Sequence, residues 1–460
     1  MGEEVLRVDP AQSPTRVLAM LEQAGATRVI IEAAMLARLC AEPAAELTNL
    51  AQVRRVDVVG GRVDPRADLL FPGAEIRRGA LTAEAEPADV VASASAAADR
   101  VGAVPPRTAA EGVVVTLETA VLSSMLRALQ RSGVLDDPAR TYATATVVAA
   151  VRVAPQHVPL VGRWLRALAD AGWIPREANG YRGAPPVGSS AESAAWDAAQ
   201  RQWIDGGFGG PAFVSYLRRN AECLDGLLAG DIAAVMLLFP EGRTELADAV
   251  YRDTAIARLL NEAIAGAVCR LGISGATRVL EVGAGTCATS EVVLARAATA
   301  GIQLHYTATD VSRFFLTTGR SRLPGARFAE LDFNRSPIVQ GFPPHSADVV
   351  VAAGALNAAR DVGAAVRGLA QLLAPGGWLL VSEPTREHVE ILASQAFMMS
   401  PPVDARMRTG TSFLDRTRWA EVFAGAGLVL HAALPGEDHA LAPLGQRLFL
   451  VQVPDSARCR

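Results

Sequence analysis

Apolar and polar positions alternate along residues 271–460 in a way that predicts strands separated by helices. Short apolar runs, typical of strands buried in a parallel sheet, predict strands at 278–282, 303–309, 326–331, 347–353, 377–382, 428–433 and 446–452. Segments with helical spacing fill most of the gaps, so we expect an α/β fold with a largely parallel, doubly wound sheet. Ligands of such sheets lie outside the carboxyl ends of the strands, and the residues at those ends are therefore the first candidates for a site.

The middle of the chain, residues 108–270, is predicted to be helical. Residues 160–173 carry apolar positions at helical spacing, and 174–182 can form a short β-wing, which together give a winged-helix-like pattern. Longer helices are predicted over 212–228 and 243–271. Basic residues in this region are sparse and not clustered, so we interpret it as a lid and not as a DNA-binding module.

Residues 1–100 are predicted to form a small α/β unit. A helix begins at Ser13-Pro14 and ends at Gly25, and strands are predicted at 27–31 and 53–59. Two stretches rich in small residues and proline predict linkers, at 92–106 and 183–190. We therefore expect three parts, 1–100, 108–270 and 271–460.

Composition excludes several classes of protein. Half of the 460 residues are hydrophobic, the formal net charge is −4, and lysine is absent, so no basic nucleic-acid footprint is expected. No uninterrupted apolar run is long enough to predict a transmembrane helix, and the N-terminus lacks a signal-peptide pattern. The cysteines are far apart, without a CxxC pair, which predicts a reduced, cytoplasmic protein with no metal site.

The first predicted strand of the C-terminal part runs into a glycine turn and then a helix. Gly283 and Gly285, with Ala284 between them, allow a sharp turn and close approach of a ligand. Thr286, Thr289 and Ser290 are candidate caps of the following helix. Glu281, at the end of the strand, can hold an ammonium group but would repel a phosphate. The turn therefore favours S-adenosylmethionine, although a loose dinucleotide fingerprint and a plain structural turn remain open.

Carboxylates and an aromatic residue follow the next strands at the same predicted edge. Asp310 ends the second strand, where it can accept hydrogen bonds from ribose hydroxyls or cap the next helix. Asp332 and Phe333 end the third strand, and this pairing suits the amino group and flat face of an adenine. Residues 352–357 follow the fourth strand, where reacting groups are expected, and Glu383 ends the fifth strand at the same edge.

At this point the C-terminal part resembles the methyltransferase domains embedded in polyketide synthases and nonribosomal peptide synthetases. The resemblance covers about residues 110 to 455, and the matching segments are 238–243, 246–253, 280–286, 306–312, 331–333, 340–342, 349–361, 372–377 and 383–385. It implies a seven-stranded, Rossmann-like class I methyltransferase sheet behind a helical lid. The candidate cofactor contacts are then Glu281, Gly283, Ala284, Gly285, Asp310, Val311, Asp332, Phe333 and Ala353.

The same resemblance implies transfer of a methyl group from S-adenosylmethionine to a substrate held as a thioester on an acyl or peptidyl carrier protein. In carbon-methylating members, a histidine and the glutamate matching Glu383 form the catalytic dyad. This chain has Asn357 where the histidine is expected, and Cys287 and Ala288 where small glycines are usual. An asparagine cannot act as a base, though its amide can hydrogen-bond an enolate oxygen. His388 is a nearby alternative, for which a surface position is expected.

Three interpretations follow from the sequence. The leading one is a stand-alone methyltransferase acting in trans on an assembly line, most simply on carbon, with nitrogen or oxygen left open. The second is a catalytically silent docking domain, suggested by Asn357. The third, an NAD-linked oxidoreductase, is disfavoured by Glu281 and by the 375–377 turn. Residues 15–85 weakly resemble part of an adenylation domain, on the segments 58–65 and 79–84, but the unit is too short to adenylate a substrate.

Overall fold

The protein was studied as a computed structural model that describes residues 5–9, 12–59, 64, 66–78, 86–273 and 277–454. The segments 60–63 and 79–84, which carry most of the weak adenylation-domain resemblance, lie outside the described residues, as does Cys459.

The N-terminal unit is a small α/β structure around four parallel strands in the order β1-β2-β3-β4. Its elements are β1 Val5–Arg7, α1 Pro14–Ala24, β2 Arg28–Glu32, α2 Ala33–Cys40, β3 Arg55–Val59, α3 Ala67–Leu70 and β4 Glu75–Arg78. The helix start at Pro14 and its end at Gly25, which has φ of 63°, are as predicted. Strands β1 and β4 were not predicted, since each is too short to show a pattern. The unit has its own apolar core, formed by residues between Val8 and Phe71.

The middle region is helical and carries a small antiparallel sheet. Its elements are α4 Pro87–Asp99, α5 Arg107–Arg131, β5 Thr141–Tyr142, α6 Thr144–Ala150, α7 Val158–Asp170, β6 Arg176–Glu177, β7 Gly180–Arg182, α8 Ser189–Asp205, α9 Pro211–Glu222, α10 Leu224–Ala229, α11 Ala234–Leu238, α12 Glu245–Tyr251 and α13 Ala255–Gly272. The predicted wing is present as the β6–β7 hairpin, which β5 extends.

Three expectations about this region were wrong. The alanine-rich stretch 92–106 contains most of α4, which packs closely on α13: a Cβ on Gly266 would lie 2.5 Å from the Cβ of Ala97. The predicted helix over 212–228 breaks at Cys223, between α9 and α10. The helix predicted over 243–271 breaks before α13, because the Thr254 side chain caps the new helix by accepting a hydrogen bond from Ala257 N at 3.2 Å.

Helix α5 is long and apolar enough to cross a membrane on length and composition alone. Within the fold, however, most of its apolar stretch is buried. Its side chains, such as Leu117 and Met125, belong to the same core as Trp164 of α7 and Trp196 of α8. We therefore describe α5 as a core helix of the middle region.

The C-terminal region is a mixed seven-stranded sheet in the order β10-β9-β8-β11-β12-β14-β13. Its elements are β8 Thr277–Val282, α14 Ala288–Thr299, β9 Leu304–Asp310, α15 Arg313–Arg322, β10 Arg327–Glu330, β11 Ala347–Ala353, α16 Val362–Ala370, β12 Leu373–Pro384, α17 Val389–Leu392, α18 Ala405–Thr409, α19 Arg416–Gly425, β13 Val429–Leu434 and β14 Gln446–Gln452. The first five strands are parallel, and β14 is antiparallel to both its neighbours. All seven predicted strands are present, and the turn predicted before β12 is an irregularity inside it, between Leu373 and Trp378.

One face of this sheet shares a continuous apolar core with the middle region. Val279, Val349 and Leu380 of the sheet pack in the same cluster as Leu117 and Trp164 of the helices. The other face is covered by a separate cluster that includes Trp419 of α19. The helical region is therefore packed against the sheet, and its helices α9, α11 and α12 reach the carboxyl ends of the strands, where the site is expected.

Candidate active site

A cavity of about 480 Å³ lies between the carboxyl ends of the sheet and the helical region. From the sheet it is lined by the end of β8 and the glycine turn, by the end of β11 and by the end of β12. From the helices it is lined mainly by apolar and aromatic side chains, among them Phe213, Leu217, Val235, Leu238 and Tyr251. The sequence-predicted residues that line it are Glu281, Gly283, Ala284, Gly285, Ala353, Asn357 and Glu383.

Glu281 is held as a buried carboxyl at the end of β8, with 2% of its surface exposed. The hydroxyl of Tyr306 donates to its Oε2 at 2.9 Å, and Ser290 Oγ donates to the same oxygen. Burial raises the pKa of Glu281 to about 7, although these two hydrogen bonds act in the opposite direction. Neither donor was assigned this role from the sequence, in which Ser290 is only a candidate helix cap.

The glycine turn after β8 needs both of its glycines. Gly283 and Gly285 have φ of 71° and 51°, and a Cβ on Gly283 would lie 2.6 Å from the Cβ of Ala355. Cys287 also has positive φ, at 64°, which explains why a glycine is usual at this position. Cys287 is the N-cap of α14 and makes no side-chain cap, so the predicted caps were wrong.

The cofactor turn is tied to the helical region by polar contacts. Thr289 Oγ1 donates to Asn261 Oδ1 of α13 at 2.8 Å. Arg322 donates from Nη1 to the Thr286 carbonyl at 2.8 Å and from Nη2 to Asp248 Oδ2 of α12, also at 2.8 Å. These bonds fix the turn and the N-terminus of α14 relative to the lid.

Asp310 supports the glycine turn through its carboxylate. Its Oδ2 accepts the Gly285 N–H at 3.0 Å and its Oδ1 accepts the Ser312 N–H at 2.8 Å. Burial raises the pKa of Asp310 despite these backbone hydrogen bonds. Each oxygen keeps a lone pair for a further donor, so ribose binding by Asp310 stays a prediction. Val311, next to it, is 58% exposed.

Asp332 and Phe333 follow β10 and are both partly buried. The side chain of Gln340 fixes this turn: Oε1 accepts the Asp332 N–H at 2.9 Å and Nε2 donates to the Asp332 carbonyl at 2.8 Å. Within the described residues, the cavity lining includes none of Asp310, Val311, Asp332 and Phe333. Adenine binding at this turn therefore stays a prediction.

Glu383 and Asn357 form a hydrogen-bonded pair at the other end of the cavity. Asn357 Nδ2 donates to Glu383 Oε2 at 2.8 Å, and the Leu356 N–H donates to Glu383 Oε1 at 2.6 Å. Glu383 is 1% exposed, and burial raises its pKa to about 7 although the hydrogen bonds lower it. The sequence predicted this juxtaposition.

From the sequence we expected the Asn357 amide to donate to a substrate oxygen. In the structure its donors do not point at the cavity. Nδ2 also donates to the Gly354 carbonyl at 3.1 Å, so both of its N–H groups are used. The reason is the adjacent Glu383 carboxylate, which attracts the N–H₂ side of the amide. The backbone of Asn357 is fixed in turn by Arg406, which is buried, pairs with Asp404 and donates from Nη1 to the Asn357 carbonyl at 2.8 Å.

The expected surface position of His388 was wrong. His388 is 2% exposed and lines the cavity together with Glu390, whose Oε1 lies 2.9 Å from its Nδ1. Burial would raise the pKa of Glu390, but the charge and hydrogen bond of His388, with the charge of Arg386, lower it to about 2. The only sequence signal for this pair was a histidine and a glutamate two residues apart, close to the end of a predicted strand.

Comparisons with known proteins agree with this geometry. Residues 280–379 match the family model of a methyltransferase domain. The chain is 34% identical over 364 residues to pyochelin synthetase PchF of Pseudomonas aeruginosa. The aligned region covers 75% of this chain and 19% of the relative. The chain is 30% identical over 319 residues to polyketide synthase ThaG of Burkholderia thailandensis, covering 67% of this chain and 6% of the relative. The chain thus spans a fifth or less of these relatives.

Among solved structures, the carbon methyltransferase of CurJ is similar over 80% of this chain and 100% of that chain, with a TM-score of 0.71 and 24% identity. The likeness to CurJ confirms the predicted fold, and the methyltransferase-domain match together with the two synthetase relatives confirms the predicted family. The chain contains a class I methyltransferase domain, of the S-adenosylmethionine-dependent type found in polyketide synthases and nonribosomal peptide synthetases.

Proposed function

We propose that this chain methylates a polyketide or peptide intermediate carried as a thioester on an acyl or peptidyl carrier protein, and that the methyl group goes to carbon. The observation that carries the proposal is the Glu383–Asn357 pair, buried in the same cavity as Glu281 and the glycine turn. The likeness to a carbon methyltransferase and to parts of large synthetases supports the choice of reaction and partner.

The residues around the glycine turn fit S-adenosylmethionine. A buried carboxyl such as Glu281 is suited to a positive group and unsuited to a phosphate, and the turn leaves no room for side chains at Gly283. In the proposal Glu281 holds the ammonium group and Asp310 and Asp332 hold the nucleoside, with Val311 and Phe333 beside it. When bound, the cofactor supplies an electrophilic methyl group.

Glu383 is the proposed acid–base residue. Its pKa of about 7 suits a general base at neutral pH, because about half of the carboxyl is then ionised and the carboxylate is still basic. Asn357 holds one carboxylate oxygen and so orients Glu383, while the apolar helices exclude water from the cavity. A substrate carbon beside a thioester carbonyl would lose its proton to Glu383.

Methylation of nitrogen or oxygen is the second candidate. It is favoured by Asn357, because an amide cannot take a proton from carbon in place of an imidazole. A heteroatom with a free lone pair needs less help from a base. For either reaction we place the enzyme in the cytoplasm, which is consistent with the four described cysteines all being free thiols.

The test is a methyl-transfer assay on carrier-bound β-ketoacyl, aminoacyl and hydroxyacyl thioesters, using cofactor labelled with ¹³C in the methyl group. NMR of the released product distinguishes a methyl group on carbon from one on nitrogen or oxygen. Wild type and Glu383→Gln are compared. We expect C-methylation of the β-ketoacyl substrate and its loss in Glu383→Gln. A labelled heteroatom would select the second candidate, and an inert wild type that still binds cofactor would select the silent docking domain.

A further inference from the structure

A second titratable pair lies on the wall of the same cavity, formed by His388 and Glu390. His388 follows β12, and Glu390 lies in α17. The imidazole is held on one edge by Glu390 Oε1, 2.9 Å from Nδ1, and its ring meets Phe413 edge-on with centroids 5.8 Å apart. Such a histidine–carboxylate arrangement is one that fixes the ring and its tautomer.

We propose that His388 is a second acid–base residue of this cavity, which receives from Glu383 the proton that the substrate loses on methylation, with Glu390 as its positioning residue. The inference rests on the proposed function, and it supplies the imidazole that Asn357 does not. It also explains why a buried histidine and a mostly buried glutamate are paired beside a reaction cavity, where an unpaired charge would be costly.

The hydrogen bonds leave Nε2 as the basic nitrogen. Because the Glu390 carboxylate lies against Nδ1 and can accept a hydrogen bond, we assign the hydrogen of the neutral ring to Nδ1. Nε2 lies 3.4 Å from the carbonyl oxygen of Gly445, which is longer than an ordinary N–H···O hydrogen bond. A carbonyl oxygen only accepts, so with the hydrogen on Nδ1 this contact does not occupy the Nε2 lone pair. Once Nε2 is protonated, the same carbonyl can accept its hydrogen and stabilise the imidazolium.

Charged side chains of several elements lie near His388. Glu390 is in contact with His388, and Glu118 of α5 lies close enough for its charge to interact with that of His388. Arg386 opposes them but is itself paired with Glu118, at 3.0 Å. Glu383 lines the same cavity. The charged side chains near His388 are thus mainly carboxylates.

A second base can assist Glu383, because both carboxylate oxygens of Glu383 already accept hydrogen bonds. Oε1 accepts from Leu356 and Oε2 from Asn357, and each bond stabilises the ionised form and lowers its basicity. In the proposed step the substrate proton is taken by Glu383 and then passes to His388 Nε2. The electron pair left on the substrate forms the new bond to the methyl group as the sulfur–methyl bond breaks, and the sulfur keeps that pair.

The test compares His388→Gln, Glu390→Gln and the double variant Asn357→His/His388→Gln with wild type on the substrate that wild type methylates. His305→Gln is the control, since His305 is exposed on β9. Calorimetric binding of S-adenosylmethionine and thermal melting check that each variant is folded. Glu390→Gln, which keeps the size of the side chain, replaces His388→Gln should the latter fail to fold.

We expect His388→Gln to lower kcat by about 100-fold or more while cofactor affinity stays within about twofold of wild type. Asn357→His should restore most of the lost turnover in the His388→Gln background, by returning an imidazole to the cavity. In Glu390→Gln the acid limb of the kcat–pH profile should move to lower pH, because the charge that stabilises the imidazolium is gone; a merely structural role would leave the limb in place.

Wild-type turnover in a folded His388→Gln variant would overturn the inference and leave the proposed function intact. Loss of turnover that Asn357→His does not restore, together with an unmoved acid limb in Glu390→Gln, would show that the pair is structural. A wild type that is inert on every carrier-bound substrate would remove the proposed function, and the inference with it.

Discussion

The pH dependence of cofactor binding should report directly on Glu281. Burial raises the pKa of this carboxyl to about 7 from an ordinary value of 4.5. Below pH 7 it is therefore mostly protonated and must lose its proton before it can hold an ammonium group. If only the ionised form binds, the apparent Kd scales as one plus the ratio of protonated to ionised Glu281, and it falls about 25-fold between about pH 5.5 and about pH 7.5.

Titration calorimetry in buffers of different ionisation enthalpy measures both the affinity and the number of protons released. Wild type should release close to one proton per cofactor bound at low pH. Glu281→Gln should bind about 10- to 100-fold more weakly at pH 7.5, the cost of a lost hydrogen bond to a charged group, and without the pH dependence. Glu330→Gln, at the exposed last residue of β10, is the matched control. Affinity that does not change with pH, or an unchanged Glu281→Gln, would refute the assignment.

Three further outcomes follow from the structure. Gly283→Ala should weaken cofactor binding at least about tenfold in the same calorimetric assay, because the new Cβ would lie 2.6 Å from that of Ala355 at a φ of 71°; unchanged affinity would show that the turn adapts. Asp348→Asn should lower the free energy of unfolding by about 3 kcal/mol in denaturant titrations, since the buried carboxylate pairs with Arg278, and a change near zero would contradict this. The pKa of Glu383 is about 7 in the folded protein and 4.5 ordinarily, so its contribution to the free energy of unfolding is complete below pH 4.5 and is lost as pH rises through 7. In the cofactor-free protein this loss should be about 3 kcal/mol, and Glu383→Gln should flatten that part of the pH–stability curve.

The sheet was predictable because its strands are buried on both faces and are separated by helices. The runs at 278–282, 347–353 and 446–452 agree with the observed strands to within one residue. The glycine turn and Glu383 could also be predicted from the sequence, because the carboxyl ends of parallel strands share one edge and each candidate lies at the end of a predicted strand. The pairing of Glu383 with Asn357 was expected only from the resemblance to carbon-methylating domains, in which the matching positions form a dyad.

What the sequence missed depends on contacts between distant segments. Nothing local shows that His388 is buried, because α5 and α17 cover it only in the folded protein. The donors of Asn357 are oriented by Glu383, 26 residues later. The alanines of α4 suggested a linker, yet small side chains are what allow close packing on α13. Short strands such as β1 are set by pairing with a neighbour and not by their own pattern.

The most direct test of the account is mass spectrometry of carrier-bound substrates after incubation with the protein and S-adenosylmethionine. The account predicts that a β-ketoacyl thioester gains the mass of one methylene, that the gain is on carbon, and that Glu383→Gln abolishes it while still binding cofactor. A wild-type protein that binds the cofactor but leaves every carrier-bound thioester unmethylated would contradict the central claim.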